Sequence, residues 1–244
     1  MSRYLATFYH LLISLVIFCF LAYLVVFVWY PGFFYAIDGG WEGMRIIIVV
    51  DLVLGPTLTL MVFKAGKPGL KFDLAIIGLF QSICLLAGLL IVYSERPIFF
   101  VYYEKHFYSS SAGTFERYDV AVPDPHHFAV SLPARVVSIL PTDPIEAADT
   151  LQALYQHGVP TWTAERTYQA LSLHLPTIID DGVTESTLRE RDSGGNLEQW
   201  LHKHGGSFSD YAFFPVHSRY RDAFLGIRKQ DLKFIDIIEI PPSL

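Results

Sequence analysis

Residues 29–63 read WYPGFFYAIDGGWEGMRIIIVVDLVLGPTLTLMVF, and the reading of this stretch decides the fold. Trp29-Tyr30-Pro31-Gly32 opens an aromatic, glycine-rich connector that ends at Gly39-Gly40-Trp41-Glu42-Gly43. An apolar run follows from Met44 to Phe63, interrupted by Asp51 and by Gly55-Pro56. At about 1.5 Å rise per residue such a run is roughly 30 Å long, the thickness of a bilayer core, so it predicts a membrane-crossing helix. That helix carries an acid inside lipid. On insertion scales a carboxylate at a helix centre costs roughly 2.5–3.5 kcal/mol, so Asp51 is expected to be protonated, hydrogen-bonded or turned toward another helix.

Two further runs flank it. Residues 11–30 contain no charged side chain, and Trp29-Tyr30-Pro31 follows where a signal peptide would carry a small-residue cleavage site, so a retained helix is expected. Residues 74–93 form the third run, closed by Glu95-Arg96-Pro97. Between the second and third lies a basic turn, with Lys64, Lys67 and Lys71 around Gly66 and Pro68-Gly69. Short cytoplasmic loops are enriched in Lys and Arg, so this turn and the amino terminus are expected inside. Three crossings then place residues 96–244 outside, in the periplasm of a Gram-negative cell, with residues 1–95 as the transmembrane region.

Composition agrees with this division. Of the chain, 52% is apolar, too much for an ordinary soluble domain, and the apolar runs all fall in the first 93 residues. The remainder holds 13 Lys plus Arg against 20 Asp plus Glu, a net charge of −7, so a basic nucleic-acid footprint and a polybasic lipid patch are absent. Cys19 and Cys84 both lie in apolar runs, so the polar part has no cysteine for a disulfide.

That part is long enough for one compact α+β domain with antiparallel strands. Ile98 to Tyr103, Phe115 to Val122 and Val130 to Leu140 read as strands, with Ser109 to Gly113 as a turn. Asp143-Pro144 starts a helix that Gly158 stops, Thr163 to Leu173 repeats the pattern weakly, and Asn196 to His204 is a short helix ended by Gly205-Gly206. Three strands close the chain: Tyr211 to Val216, Ala223 to Ile227 and Leu232 to Ile240.

Helical spacing puts Asp51, Gly55 and Thr59 on one face of the second helix, with Gly55 and Thr59 a small-xxx-small pair. Gly78, Gln81, Ser82, Leu85 and Gly88 form a comparable stripe on the third. Depth counted at 1.5 Å per residue sets Thr59 level with Gln81, and Asp51 level with Gly88 and with Tyr23 on the first helix. An Asp51–Tyr23 hydrogen bond is therefore expected, with a partner's helix or an internal water pocket as the alternatives. Trp29 and Trp41 read as anchors at headgroup level.

Several chemistries lack their parts. Aspartyl proteolysis within the membrane needs two acids sharing a site, and only Asp51 lies in a span. The sequence holds no nucleophile elbow, P-loop or dinucleotide fingerprint. His126-His127 and His202-Lys203-His204 lack a third metal ligand at helical spacing, and Asp180-Asp181-Gly182 reads as a turn because no calcium-binding ladder follows. No catalytic residue, metal or cofactor is expected.

Trp29-Tyr30-Pro31-Gly32, Gly39-Gly40-Trp41-Glu42-Gly43, Asp51 to Pro56, Phe63-Lys64, Phe72-Asp73-Leu74 and Arg96-Pro97, in this order and spacing, resemble the TfpX/TfpZ family of type IV pilin accessory proteins. The resemblance is dense from about Trp29 to Val101 and thin afterward. It implies a non-enzymatic, chaperone-like protein of the inner membrane that assists a cognate major pilin, in its stability or its entry into the pilus. On that reading Thr59, Gln81, Gly55, Gly78 and Ser82 touch the pilin's membrane helix, Asp51 and Tyr23 hold the protein together, and the periplasmic domain meets the pilin head. The other readings are a membrane-tethered ligand sensor, for which the cytoplasmic parts are short, and a small transporter subunit, for which three spans supply few walls.

Overall fold

The computed structural model describes residues 2–240 and divides into two compact units, Met1–Arg96 and Pro97–Leu244. In the first unit, three helices are long and apolar enough to cross a membrane, Arg3–Trp29, Gly40–Val62 and Leu70–Ser94. The first comprises α1 (Arg3–Tyr23) and a π-helical turn, Leu24–Trp29. It begins eight residues before the expected start at Leu11. Ser2 accepts a hydrogen bond from the Leu5 N–H, and this cap lets Arg3 and His10 enter the helix. The short α2 (Phe34–Ile37) leads to α3 (Gly40–Ile47), a π-helical turn Ile48–Leu54 and α4 (Gly55–Val62), one continuous span. The wide turn stands directly before Gly55-Pro56. Proline has no N–H to donate and its ring crowds the carbonyl four residues back, so the turn ahead of it loosens. The third span is α5 (Leu70–Ser94), four residues longer at its start than expected because Gly69, with φ 80°, turns the chain into it.

The second unit is one mixed sheet with helices and loops on it. Its strands are β1 (Phe99–Tyr103), β2 (His106–Ser110), β3 (Ala134–Ser138), β4 (Tyr168–Ala170), β5 (Tyr211–His217), β6 (Ala223–Arg228) and β7 (Lys233–Ile238). Their order is β4-β3-β1-β2-β5-β6-β7. Pairs β1–β2, β3–β4, β5–β6 and β6–β7 are antiparallel, whereas β1–β3 and β2–β5 are parallel. The antiparallel expectation is corrected here: parallel neighbours need long crossovers, and their pairing leaves no turn signal in the sequence.

The helices are α6 (Ala112–Arg117), α7 (Pro144–His157), α8 (Leu171–Ile178), α9 (Glu185–Arg191) and α10 (Asn196–His204). Two of these replace other expectations. The stretch expected as a strand from Phe115 starts inside α6, because the Ser111 N–H bonds Thr114 Oγ1 at 3.1 Å and caps a helical turn, while Ser109 and Ser110 complete β2. Thr163 to Leu173 is not one helix but 3-10 turns, β4 and the start of α8. Asp143 caps α7 through the Ile145 and Glu146 N–H groups, and Gly158, at φ 65°, ends it.

Strand alternation sorts the sheet's side chains onto two faces. On one, Phe99 packs with Phe115, Phe128 and Tyr168, and a separate cluster gathers Trp200, Leu197, Tyr211, Phe213 and Phe224. On the other, Phe100, Tyr102, Phe107 and Phe214 make successive ring contacts. Phe234 of β7 closes over Phe100 and Phe107, and the Arg135 guanidinium of β3 lies 4.3 Å from the Phe234 ring. Strands β3 and β7 are five places apart in the order, so the sheet curls strongly, as right-handed strand twist favours.

Trp200 sits against the backbone of Gly226 in β6. A Cβ there would lie 2.5 Å from Trp200 Cζ2 and 3.1 Å from Phe213 Cε1. Gly226→Ala should therefore lower stability by about 1–3 kcal/mol, the usual range for overpacking. Thermal unfolding of the purified protein in detergent checks this, and an unchanged midpoint would show that the indole is not seated there.

Candidate functional site

Polar side chains from all three spans meet inside the first unit. His10 and Ser14 are one turn apart on α1, Asp51 lies in the π-helical turn of the second span, Thr59 is two turns further along, and Gln81 comes from α5. Ser14 Oγ donates to Asp51 Oδ1 at 3.1 Å. The Gln81 amide donates to the same Oδ1 and, at 3.4 Å, to the Asp51 carbonyl. Its Oε1 faces His10 Nε2 at 3.1 Å, while His10 Nδ1 lies 2.6 Å from Thr59 Oγ1.

These contacts fix the donors. With two Asp51 acceptors before it, Nε2 of Gln81 must be the amide end there, so Oε1 accepts from His10 Nε2–H. In the neutral ring Nδ1 then accepts from the Thr59 hydroxyl. One chain of hydrogen bonds thus runs Thr59 to His10 to Gln81 to Asp51, with Ser14 joining at the carboxyl. Asp51, Ser14 and Thr59 are buried, at 2%, 2% and 3% exposure. Asp51 Oδ2 is also buried and has no hydrogen-bond partner among the described residues.

Gly55 makes the approach of α5 feasible, since a Cβ on it would overlap the Gln81 carboxamide. A Cβ on Gly43 would likewise meet Val92, and one on Gly88 would reach Ile46 at 3.7 Å. At the same end as Val92, Tyr30 Oη donates to the Val92 carbonyl at 2.8 Å and Trp29 packs edge-on against Tyr93. Pairs 43/92, 46/88 and 55/81 set the register. Gly88 stands opposite Ile46, not level with Asp51 as the depth count expected, because the second and third spans each begin four residues earlier than the count assumed.

The expected Asp51–Tyr23 bond is replaced. Tyr23 is 58% exposed and packs on Phe27, and Ser14 is the partner of Asp51 on the first span. Thr59, Gln81 and Gly55 come together with Asp51 in one inward cluster, so side chains expected at two depths serve one contact. Gly78 and Ser82 lie elsewhere: both are exposed, nothing would crowd a Cβ on Gly78, and Ser82 Oγ bonds the Gly78 carbonyl at 2.8 Å. Trp41 is 43% exposed. His10 lies outside the run that begins at Leu11, and Ser14, inside it, is a small hydroxyl with no charge to mark it. Their signal was present: Ala6, His10 and Ser14 recur every four residues on one face.

In the sheet domain, His127 faces Asp124 and Glu165 at 3.7 and 4.0 Å, His204 faces Asp236 at 3.4 Å, and Asp181 pairs with Lys105 at 3.1 Å. Among the described residues no group of three or more His, Cys, Asp or Glu side chains is placed to hold a metal.

The structure thus defines a class: a protein with three membrane-span candidates knotted by a buried polar cluster and followed by a mixed-sheet domain. Comparison with known proteins narrows it. No family model matches the chain, and no solved structure matches it. The fimbrial assembly protein of serogroups C1 and C2 of Dichelobacter nodosus is 32% identical over 96 residues, which are 38% of this chain and 72% of that protein. The chain belongs to the family of that fimbrial assembly protein.

If the cluster ties the helices together, Asp51→Leu and Gln81→Leu should each destabilise the membrane unit. Their double-mutant cycle in micelles should show coupling of about 1 kcal/mol, the scale of hydrogen bonds between membrane helices. Additive effects would mean the pair does not interact.

Proposed function

We propose that this protein is a non-enzymatic accessory protein of type IV pilus biogenesis, of the TfpX/TfpZ kind, that holds a cognate major pilin in the inner membrane before or during its assembly. The family link to a fimbrial assembly protein carries this reading. Three spans and a separate sheet domain support it, because a pilin awaiting assembly presents a single membrane helix and an external head. The lysine turn at Lys64, Lys67 and Lys71 favours a cytoplasmic amino terminus and a periplasmic sheet domain.

Burial favours a smaller set of partner-facing side chains in this proposal. Thr59, Gln81 and Gly55 are occupied with Asp51, Ser14 and His10, so they shape the unit. Gly78 and Ser82 on α5 are exposed, which leaves them accessible to a pilin helix on this reading.

Deleting the protein should strongly reduce surface pili, and the pilin level measured in the same cells separates protection from loading. Photocrosslinkers at 78 and 82 should capture pilin, and those at 59 and 81 should not. Pilin adducts confined to 59 and 81 would reverse the assignment. Purified protein that binds a small ligand, and never pilin, would favour a sensor.

A further inference from the structure

The sheet domain has a narrow seam that the membrane cluster and the pilin reading leave unused. Strands β4, β3, β1 and β2 form one half of the sheet and β5, β6 and β7 the other. They are joined by β2 and β5, whose register holds two pairs, Phe107↔Val216 and Tyr108↔His217. On one face, Phe107 packs on Phe214 across this seam. On the other, His106 and Tyr108 of β2 stand beside His217 of β5.

His106 Nδ1 lies 2.8 Å from His217 Nε2, with ring centroids 5.1 Å apart and planes within 8°. A centroid separation equal to the nitrogen distance plus two ring radii means the imidazoles lie edge to edge in one plane, the geometry of a straight N–H···N bond. His217 Nδ1 lies 3.2 Å from Asp222 Oδ2, and the other carboxylate oxygen accepts the Ser218 N–H at 3.2 Å. Asp222 therefore fixes the proton on Nδ1 of His217, which leaves its Nε2 to accept from His106 Nδ1–H. Tyr108 stacks with His217 at 5.1 Å and with Trp162 at 4.8 Å between ring centroids.

We propose that the Asp222–His217–His106 chain is a proton-operated latch across the β2–β5 seam. With no added proton, or with one on the outer Nε2 of His106, the bond between the rings persists. A second proton must go to His217 Nε2 or to Asp222. On Nε2 it sets two N–H groups against each other and puts two positive charges in contact; on Asp222 it removes the charge that orients His217. Either way the latch releases, while the Phe107–Phe214 face stays closed.

The surroundings act on the pair from every side. Burial, the His217 ring and Arg191 at the end of α9 oppose charge on His106, while Glu104 in the β1–β2 turn favours it. Burial comes first, and His106 is held below its ordinary value of 6.5. Lys105 is paired with Asp181, and Tyr108 and Trp162 supply neutral ring faces. A base whose folded-state pKa is depressed contributes its full stability above the unfolded value. That contribution is lost as pH falls from 6.5 through the folded value, and the latch opens when the second proton follows.

Hydrogen exchange by mass spectrometry on the full-length protein in detergent tests this. After correction for intrinsic rates, peptides covering β2 and β5 should exchange on the order of tenfold faster at about pH 5 than at about pH 7.5, as local opening of the seam exposes their amides. His106→Gln offers His217 a carboxamide that donates to the neutral ring and can turn its oxygen to the protonated one, so it should abolish the acid response, whereas His202→Gln on α10 should retain it. A wild-type seam indifferent to pH, or an acid response that survives in His106→Gln, would overturn the proposal. Should His106→Gln fail to fold, NMR of the wild-type imidazole nitrogens decides: a scalar coupling between His106 Nδ1 and His217 Nε2 should be present at about pH 7.5 and lost at about pH 5, and its absence at the higher pH or its persistence at the lower would sink the latch.

Discussion

A single carboxamide ties the membrane unit together. Gln81 reaches from the third span to the Asp51 carboxyl on one side and to His10 on the other, so one side chain engages both neighbouring helices. In a hydrocarbon surrounding, an unpaired polar group has no water to turn to, and packing alone does not distinguish helix from lipid. The hydrogen-bond chain therefore supplies orientation that apolar contacts would leave undefined. Gly55 is its steric counterpart, since any side chain there would occupy the space of the amide.

Two departures from regular α-helix accompany this arrangement. The π-helical turn that carries Asp51 sits ahead of Gly55-Pro56, and a second closes the first span, where the Tyr30 N–H bonds the Val25 carbonyl at 2.9 Å. Wide turns rotate the residues that follow relative to those before. In the second span Asp51, Gly55 and Thr59, four residues apart, share the inner surface across the end of the wide turn. Outside the cluster α5 is largely exposed and apolar, with Phe72, Leu79, Phe80, Ile83, Leu86 and Leu90 all turned outward.

The sequence made the three spans legible through their length and lack of charge, and Asp51 through its isolation within one of them. Helix stops at Gly158 and Gly205 and the cap at Asp143 were equally legible, because capping is local chemistry. Register was not. Counting depth from the apolar edges misplaced Gly88 and Tyr23, since helix ends are set by caps such as Ser2 and Gly69 rather than by the first apolar residue. His10 was hidden for the same reason. In the sheet domain, the parallel pairings β1–β3 and β2–β5 join segments far apart in the chain, and nothing in either segment names its partner. The His106–His217 contact, 111 residues apart, is a product of that pairing.

The account rests on the polar cluster facing inward. Its most direct measurement is the labelling of single cysteines placed at Ser14, Thr59 and Ser82 by a lipid-soluble maleimide, in protein whose Cys19 and Cys84 have been changed to alanine. Position 82 should react rapidly and positions 14 and 59 should be protected. Labelling at 14 and 59 as fast as at 82 would show that the polar face is turned to lipid or to a partner, and the arrangement described here would be wrong.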